Sequence, residues 1–485
     1  MHSANDREDM ITKPDDGASV ASGKHQRLSC WQSGWFYFKI SIWFFGSSVV
    51  LGAMTSIVWP YQLVTCFGAE RKEYWNGVIP ISGVFINFIM TTVSGYMSDH
   101  IRTKFGKRRP FLLAGTIIMI AFLFGLSSYN DSNATISGFI LMEVGFYFGQ
   151  GVAAGAFSGI IPDLVHLSQT GMASGWLGVM WSLGTLIGAI GGGVLVQGTT
   201  EDAIYIYCYG FVIALLAIST IIALVSLHED KCEDFHFDGS VTGFFRSLYL
   251  PSHTYYNFYW IILTRFFNTM GCHMIISFLF YFAMDVVGQK ELIVSSIILV
   301  TLILCSIPSS IVGGLIADRY NITKGMVYAS SCIQFVAVAC MIALSFGPSF
   351  VGLLVVVGFF GIGYGCYQCV DWALALRVLP GHTIAKDMGI WHVSFNAPMV
   401  FAPFITANIL AYMKLSHYTY NQSYAVVFGV ASIWFILATA FIYPLKDTSV
   451  DKNNNCCLKN SPSNSSSNGD LEEIQMKSIS TNTAE

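Results

Sequence analysis

Charge is scarce in this chain. Only 11% of its 485 residues are Asp, Glu, Lys or Arg, against about 25% in a soluble domain. With 54% hydrophobic residues, the chain carries more apolar surface than one water-covered core hides, so the bilayer becomes its solvent and first partner. A basic tract is also missing. The formal net charge is −4 and the cationic residues are scattered over short loops, which excludes a nucleic-acid partner. The N-terminal stretch lacks a basic segment leading directly into an apolar one. Residues 1 to about 38 are polar (Asp6, Arg7, Glu8, Asp9, Lys13), so no cleavable signal peptide is expected and the first span acts as its own insertion signal. Cysteine is present, with twelve, yet the spacings match neither a disulfide framework nor a zinc site. No metal cluster, phosphate loop or nucleophile–base pair stands at usable spacing. Neither a cofactor nor an enzyme is expected.

What remains is a succession of apolar runs. About 20 residues of helix cross the hydrocarbon layer, and runs of that kind lie near 40–66, 77–98, 110–128, 136–158, 172–197, 203–227, 257–284, 292–316, 325–346, 348–369, 388–413 and 422–444. The expectation is an all-α membrane protein with twelve transmembrane helices in two pseudo-symmetric six-helix bundles. The domains are then a tail (1–39), a first bundle (40–227), a central loop (228–256), a second bundle (257–445) and an Asn/Ser-rich tail (446–485) expected to be disordered.

Placing both termini in the cytoplasm leaves Arg71, Lys72, Lys290 and Lys414 outside, Arg265 inside a span, and the rest of the 25 Lys and Arg in the cytoplasm. The positive-inside rule therefore selects that orientation, in a plasma membrane or endomembrane. Sequons at Asn130, Asn133 and Asn421 agree with it, and Asn321 does not. Cys456-Cys457 sits where palmitoylation occurs.

The two halves share marks at matching places. Gly95-Tyr-Met-Ser-Asp99 closes span two, and Gly314-Leu-Ile-Ala-Asp318-Arg319 closes span eight. Asp163 follows span four and Asp371 follows span ten at a similar offset. A carboxylate at a helix end can pair with Arg or with a neighbouring helix N-terminus in one state only, which makes a breakable latch. Arg102, Lys104, Gly106, Lys107, Arg108 and Arg109 in the first loop belong to the same cytoplasmic gate, or serve as plain positive anchors.

Taken together, Ser98-Asp99 with Arg102-Thr-Lys-Phe-Gly106-Lys-Arg-Arg-Pro110, Gln150-Gly151 with Asp163, Asp371-Trp-Ala-Leu-Ala and Ala385-Lys-Asp-Met-Gly-Ile-Trp391-His392 resemble the major facilitator superfamily. The branch they resemble is that of the glycoside/pentoside/hexuronide cation symporters, which includes the sucrose transporters. The resemblance covers about residues 40–445 and implies proton-coupled uptake of a sugar, with an acidic residue in span four near the binding site. Glu143 stands at that acidic position as Glu where sucrose transporters carry Asp, and Ala154 replaces the Arg they have four residues after Gln150.

An ionisable group deep in a span costs at least about 2.5 kcal/mol and is expected to face a cavity or partner. Glu143, among Leu141, Met142, Val144 and Phe146, reads as the one acidic residue so placed, able to exchange a proton near neutral pH or to make a static interhelical bond. Arg265, with His273 two turns on, could pair with Glu143, grip the solute, or snorkel to the surface. Gln150, Asn268, Gln368, Trp391 and Asn396 are suited to a solute with hydroxyls and an apolar ring face. The expected function is secondary active transport of a small polar solute, a sugar, glycoside or polyol, with H+ as coupling ion. A transporter-like receptor or scaffold that senses a solute is the alternative.

Overall fold

The structure, a computed structural model, describes residues 30–67, 72–129, 135–198, 201–227, 229, 236–237, 239–289, 292–379 and 384–446. The sequons at Asn130 and Asn133, the tail from 447 and Cys456-Cys457 lie outside them.

Helices account for nearly all of it, because a backbone in hydrocarbon must satisfy its own hydrogen bonds. The first half comprises α1 (Cys30–Ala53), α2 (Trp59–Phe67), α3 (Lys72–His100), α4 (Arg109–Ser127), α5 (Ile136–Ser158), α6 (Ile160–Leu164), α7 (Thr170–Gly198) and α8 (Glu201–Ser226). A linker helix α9 (Val241–Ser247) follows. The second half holds α10 (Tyr256–Ile276), α11 (Leu279–Asp285), α12 (Leu292–Tyr320), α13 (Thr323–Phe346), α14 (Phe350–Val378), α15 (Ile384–Trp391), α16 (Val393–Leu415) and α17 (Tyr420–Ala440). Two residues from the α3–α4 connection, Ile101–Arg102 (β1), pair antiparallel with His236–Phe237 (β2) of the linker.

Local chemistry sets the breaks. Pro110 enters the first turn of α4, where its missing N–H costs nothing. The Ser349 hydroxyl caps α14 through Gly352 N–H at 3.2 Å, and Thr419 and Gln422 form a capping box on α17. A single π-helical turn, Met54–Val58, separates α1 from α2 just ahead of Pro60.

Among the described residues, eleven stretches are long and apolar enough to cross a membrane. The remaining expected span, 257–284, falls on α10 and α11. Arg265, Asn268 and His273 dilute the apolar character of α10, yet this 21-residue helix takes the place in the second half that α1 takes in the first. Two boundaries differ from expectation. α1 starts at Cys30, ten residues ahead of the expected span, and Tyr37 is already buried on it. α14 runs to Val378, since the Trp-Ala-Leu-Ala-Leu run after Asp371 continues the helix.

Packing repeats between halves. α1 lies on α7 and α8, α5 on α3 and α4, and α4 on α8. In the second half α10 lies on α16 and α17, α14 on α12 and α13, and α13 on α17. The halves meet where α7 packs against α12 and α14, and reciprocally where α15 packs against α3 and α5. Two apolar clusters fill the molecule, one centred on α1, α5, α7 and α8 and one on α10, α12, α13, α14 and α17.

Candidate functional site

The paired Gly-x-x-x-Asp motifs do the same thing in each half. A Cβ on Gly95 would stand 2.7 Å from the Ala385 carbonyl, so only Gly lets the start of α15 come this close. One turn on, Asp99 Oδ2 accepts from Lys386 N–H at 3.2 Å. A Cβ on Gly314 would stand 2.2 Å from the Gly171 carbonyl. One turn on, Asp318 accepts from Gly171 N–H at 2.9 Å and Met172 N–H at 2.8 Å. Each carboxylate thus caps the N-terminus of a helix in the opposite half, where the helix dipole favours negative charge.

Arginine completes both ends. Arg108, buried, donates to Asp99 Oδ1 at 2.7 Å, Asp163 Oδ2 at 2.9 Å and Ser98 Oγ at 2.5 Å. Burial by itself would lower its proton affinity, and the Asp99 and Asp163 carboxylates overcome this and keep it charged. Lys107 reaches Asp163 at 2.6 Å, while burial and then Arg108 hold its ammonium below the usual 10.5. In the second half Arg377 donates to Asp318 at 2.8 Å and to Asn321 at 3.1 Å.

Of the other expected gate residues, Gly106 turns the α3–α4 connection at a φ of +100°. Glu229 accepts from Arg108 N–H beside it at 3.0 Å. Arg102 is exposed and donates to the Asp99 carbonyl at 3.1 Å, and Arg109, at the start of α4, makes no salt bridge among those recorded for the described residues. Arg319 is exposed beside Tyr320 and takes no part in capping. Asp371 does not mirror Asp163. It lies inside α14, fully buried, in a salt bridge with Arg265.

Just above the capped end a small, partly open cavity lies between the halves. The first half supplies Phe44, Leu177, Gly178 and Trp181 with the hydroxyls of Ser174 and Ser182. The second half supplies Arg265, Tyr364, Gln368, Trp372, His392 and Phe395. Arg265 is fixed from three sides: Asp371 behind it, Gln368 Oε1 at 3.4 Å, and the Trp391 ring under its guanidinium at 3.8 Å. Trp391 packs on Trp372, ring centroids 5.1 Å apart. Trp181 meets Phe395 across the halves at 5.6 Å.

Arg265, Gln368 and Trp391 are therefore brought together as expected solute-side residues, but the others are not. Asn268 donates to Gln334 at 2.7 Å behind the wall. His273 lies against Phe395 at 6.1 Å, Asn396 is half-buried on α16, and Gln150 accepts from Asn87 at 2.9 Å within the first half. Glu143 is fully buried with neither oxygen hydrogen-bonded among the described residues. It stands fourteen residues up α5 from Phe157, which stacks on the cavity residue Phe44, a rise of about 21 Å. It does not reach Arg265. Trp372, His392 and Phe44 were not singled out as solute residues; Trp372 stands one helical turn after Gln368 and His392 next to Trp391, which is the signal that could have found the first two.

A weak relative is the general alpha-glucoside permease of Schizosaccharomyces pombe, 26% identical over 130 residues. That match takes in 24% of this chain and 23% of the relative's length. Among solved structures, the proton:xylose symporter XylE bound to 6-bromo-6-deoxy-D-glucose superposes with a TM-score of 0.65 at 13% identity, over 85% of this chain and 97% of that one. A bacterial homologue of the iron transporter ferroportin, in an outward-facing state, gives 0.63 at 10% identity over 84% and 98%. FucP in the outward conformation gives 0.58 at 13% over 85% and 98%. These structures share the fold. The sequence model of the Major Facilitator Superfamily matches residues 75–403, so the chain, a multi-pass integral membrane protein, belongs to that superfamily of transporters and is not an enzyme.

Proposed function

We propose that this protein moves a sugar or related polyol through the cavity between its halves by alternating access coupled to protons. One observation carries the reading: the cavity joins aromatic faces (Phe44, Trp181, Trp372, Phe395) to a fixed set of hydrogen-bonding groups (Arg265, Gln368, His392). A sugar presents the same duality, an apolar ring face and a rim of hydroxyls. The salt-bridged Arg265 leaves the wall without net charge from that pair, which suits an uncharged solute. Support comes from the alpha-glucoside permease relative and the xylose-symporter likeness.

The capped end is the cytoplasmic gate in this reading. Asp99, Arg108 and Asp163 hold it in one half, Asp318 and Arg377 in the other, and the cationic Arg102, Lys104, Lys107 and Arg109 support a cytoplasmic side for it and for both termini by the positive-inside rule. The test is uptake by cells expressing the chain, using labelled maltose, sucrose, glucose and xylose with and without a protonophore. Accumulation that rises as external pH falls and collapses with the protonophore is expected. Accumulation of none of these sugars, or accumulation indifferent to the protonophore, sinks the proposal.

A further inference from the structure

A proton site and a solute site couple most directly where their groups touch, and Glu143 is not among the residues that line the cavity. A different carboxyl touches one of them. Asp371 stands directly behind Arg265, and Arg265 is a cavity-lining group. Both are buried and their bridge joins α10 to α14, so neither charge has water to fall back on. We propose that the Arg265–Asp371 pair is the coupling site: Asp371 takes the proton, and Arg265 exchanges its carboxylate partner for a hydroxyl oxygen of the solute. This rests on the proton-coupled sugar transport proposed above and adds where the coupling happens.

The geometry supports an exchange. A buried ion pair is tolerable while intact and costly once one partner is lost. Protonating Asp371 leaves the guanidinium without its counter-charge, and a solute oxygen at the cavity wall is the acceptor within reach. Conversely, a solute that draws Arg265 forward strands a carboxylate in a dry place, where a proton neutralises it. The two bindings therefore favour each other, and by linkage the coupling is equal in both directions. Trp391, under the guanidinium at 3.8 Å, and the unpartnered Nε let Arg265 shift over the ring while its cation stays on an aromatic face.

Little else competes for the role. On α14 itself Tyr367 faces Asp371 and Gln368 faces Arg265. On α10 Cys272 lies within electrostatic range of Arg265 and Tyr367. From the turn before α16 comes His392, beside Arg265. α7 contains no titratable residue. On α12 Asp318 is occupied by Arg377 and by the backbone of α7. On α13 Lys324 bonds the Leu445 carbonyl at 2.6 Å, Tyr328 lies by Tyr443, and Cys332 and Cys340 are exposed.

The experiment uses the full chain in proteoliposomes with labelled maltose and sucrose, reading accumulation under an imposed pH gradient beside gradient-free counterflow. For Asp371→Asn, accumulation falls by about tenfold or more, the scale of ordinary coupling energies, while counterflow survives and loses its pH dependence. For Asp371→Glu, accumulation persists with its pH profile displaced. Glu143→Gln keeps gradient-driven accumulation. Should Asp371→Asn accumulate sugar like the wild type, or Glu143→Gln alone abolish accumulation, the inference is overturned. If Asp371→Asn does not fold, an unshifted pH profile in Asp371→Glu overturns it equally. A wild type that accumulates neither sugar, nor glucose or xylose in the same assay, defeats the transport reading itself, and this inference with it.

Discussion

Arg108 and Lys107 are neighbours in sequence and differ in what they hold. Arg108 is buried and bonds two carboxylates and a hydroxyl, so Arg108→Gln leaves uncompensated buried acid and costs about 3–5 kcal/mol of stability, read as a lower melting temperature in detergent. Lys107 shares Asp163 while remaining partly exposed, and Lys107→Gln costs under about 1 kcal/mol. The sign of its pH effect follows from its lowered proton affinity. Between that lowered value and 10.5 the folded state binds fewer protons than the unfolded one, so the contribution of Lys107 to stability rises with pH there. A stability gap between Lys107→Gln and wild type that shrinks as pH rises toward 10.5 would contradict this. Arg108 and both Asp-capping residues were legible as residues because the motif occurs twice. The Asp371–Arg265 pair was not, because reading α14 as ending at 369 put Asp371 in a loop and left Arg265 seeking Glu143.

At the scale of the element, the decisive feature is backbone proximity. Gly314→Leu pushes a side chain into the Gly171 carbonyl, and Gly95→Leu does the same at Ala385. Either substitution holds α12 off α7, or α3 off α15, and slows transport about tenfold or more by removing the closed form of that end. Cysteine labels introduced on α3 and α15 would show the widened separation by spin–spin distance measurement. An unchanged distance and rate for both variants would mean that the helices accommodate the side chain elsewhere. Helix existence was readable from length and hydropathy, and helix ends less so. α1 extends ahead of its expected start through Tyr37, a buried aromatic that looks interfacial in a linear reading. α10 is less apolar than its counterpart α1 because it carries Arg265 and Asn268 toward polar partners, Asp371 and Gln334, that sequence alone does not bring near.

For the whole molecule, transport by two bundles around one cavity makes the segment from residue 450 onward dispensable. Truncation there should leave uptake of labelled maltose or sucrose within about twofold of wild type, because the cavity and capping contacts are made by residues 44–395. Loss of uptake with normal expression would favour a sensing role that needs the tail. The twofold repeat was visible in two motifs and became a rule of construction only in the fold, where the main helix pairs of one half have counterparts in the other. What resisted reading was distance across the halves. Phe44 and Trp372, 328 positions apart in the chain, stand with rings 6.2 Å apart.

The reciprocal capping by Asp99 and Asp318 has a kinetic corollary. Each half grips a helix belonging to the other, so neither grip can be released while the opposite one keeps the bodies in register. Partly opened forms forfeit one cap and gain no room, which leaves them sparsely populated between two well-defined end states. Opening should accordingly be switch-like, and weakening either aspartate should shift the same single equilibrium.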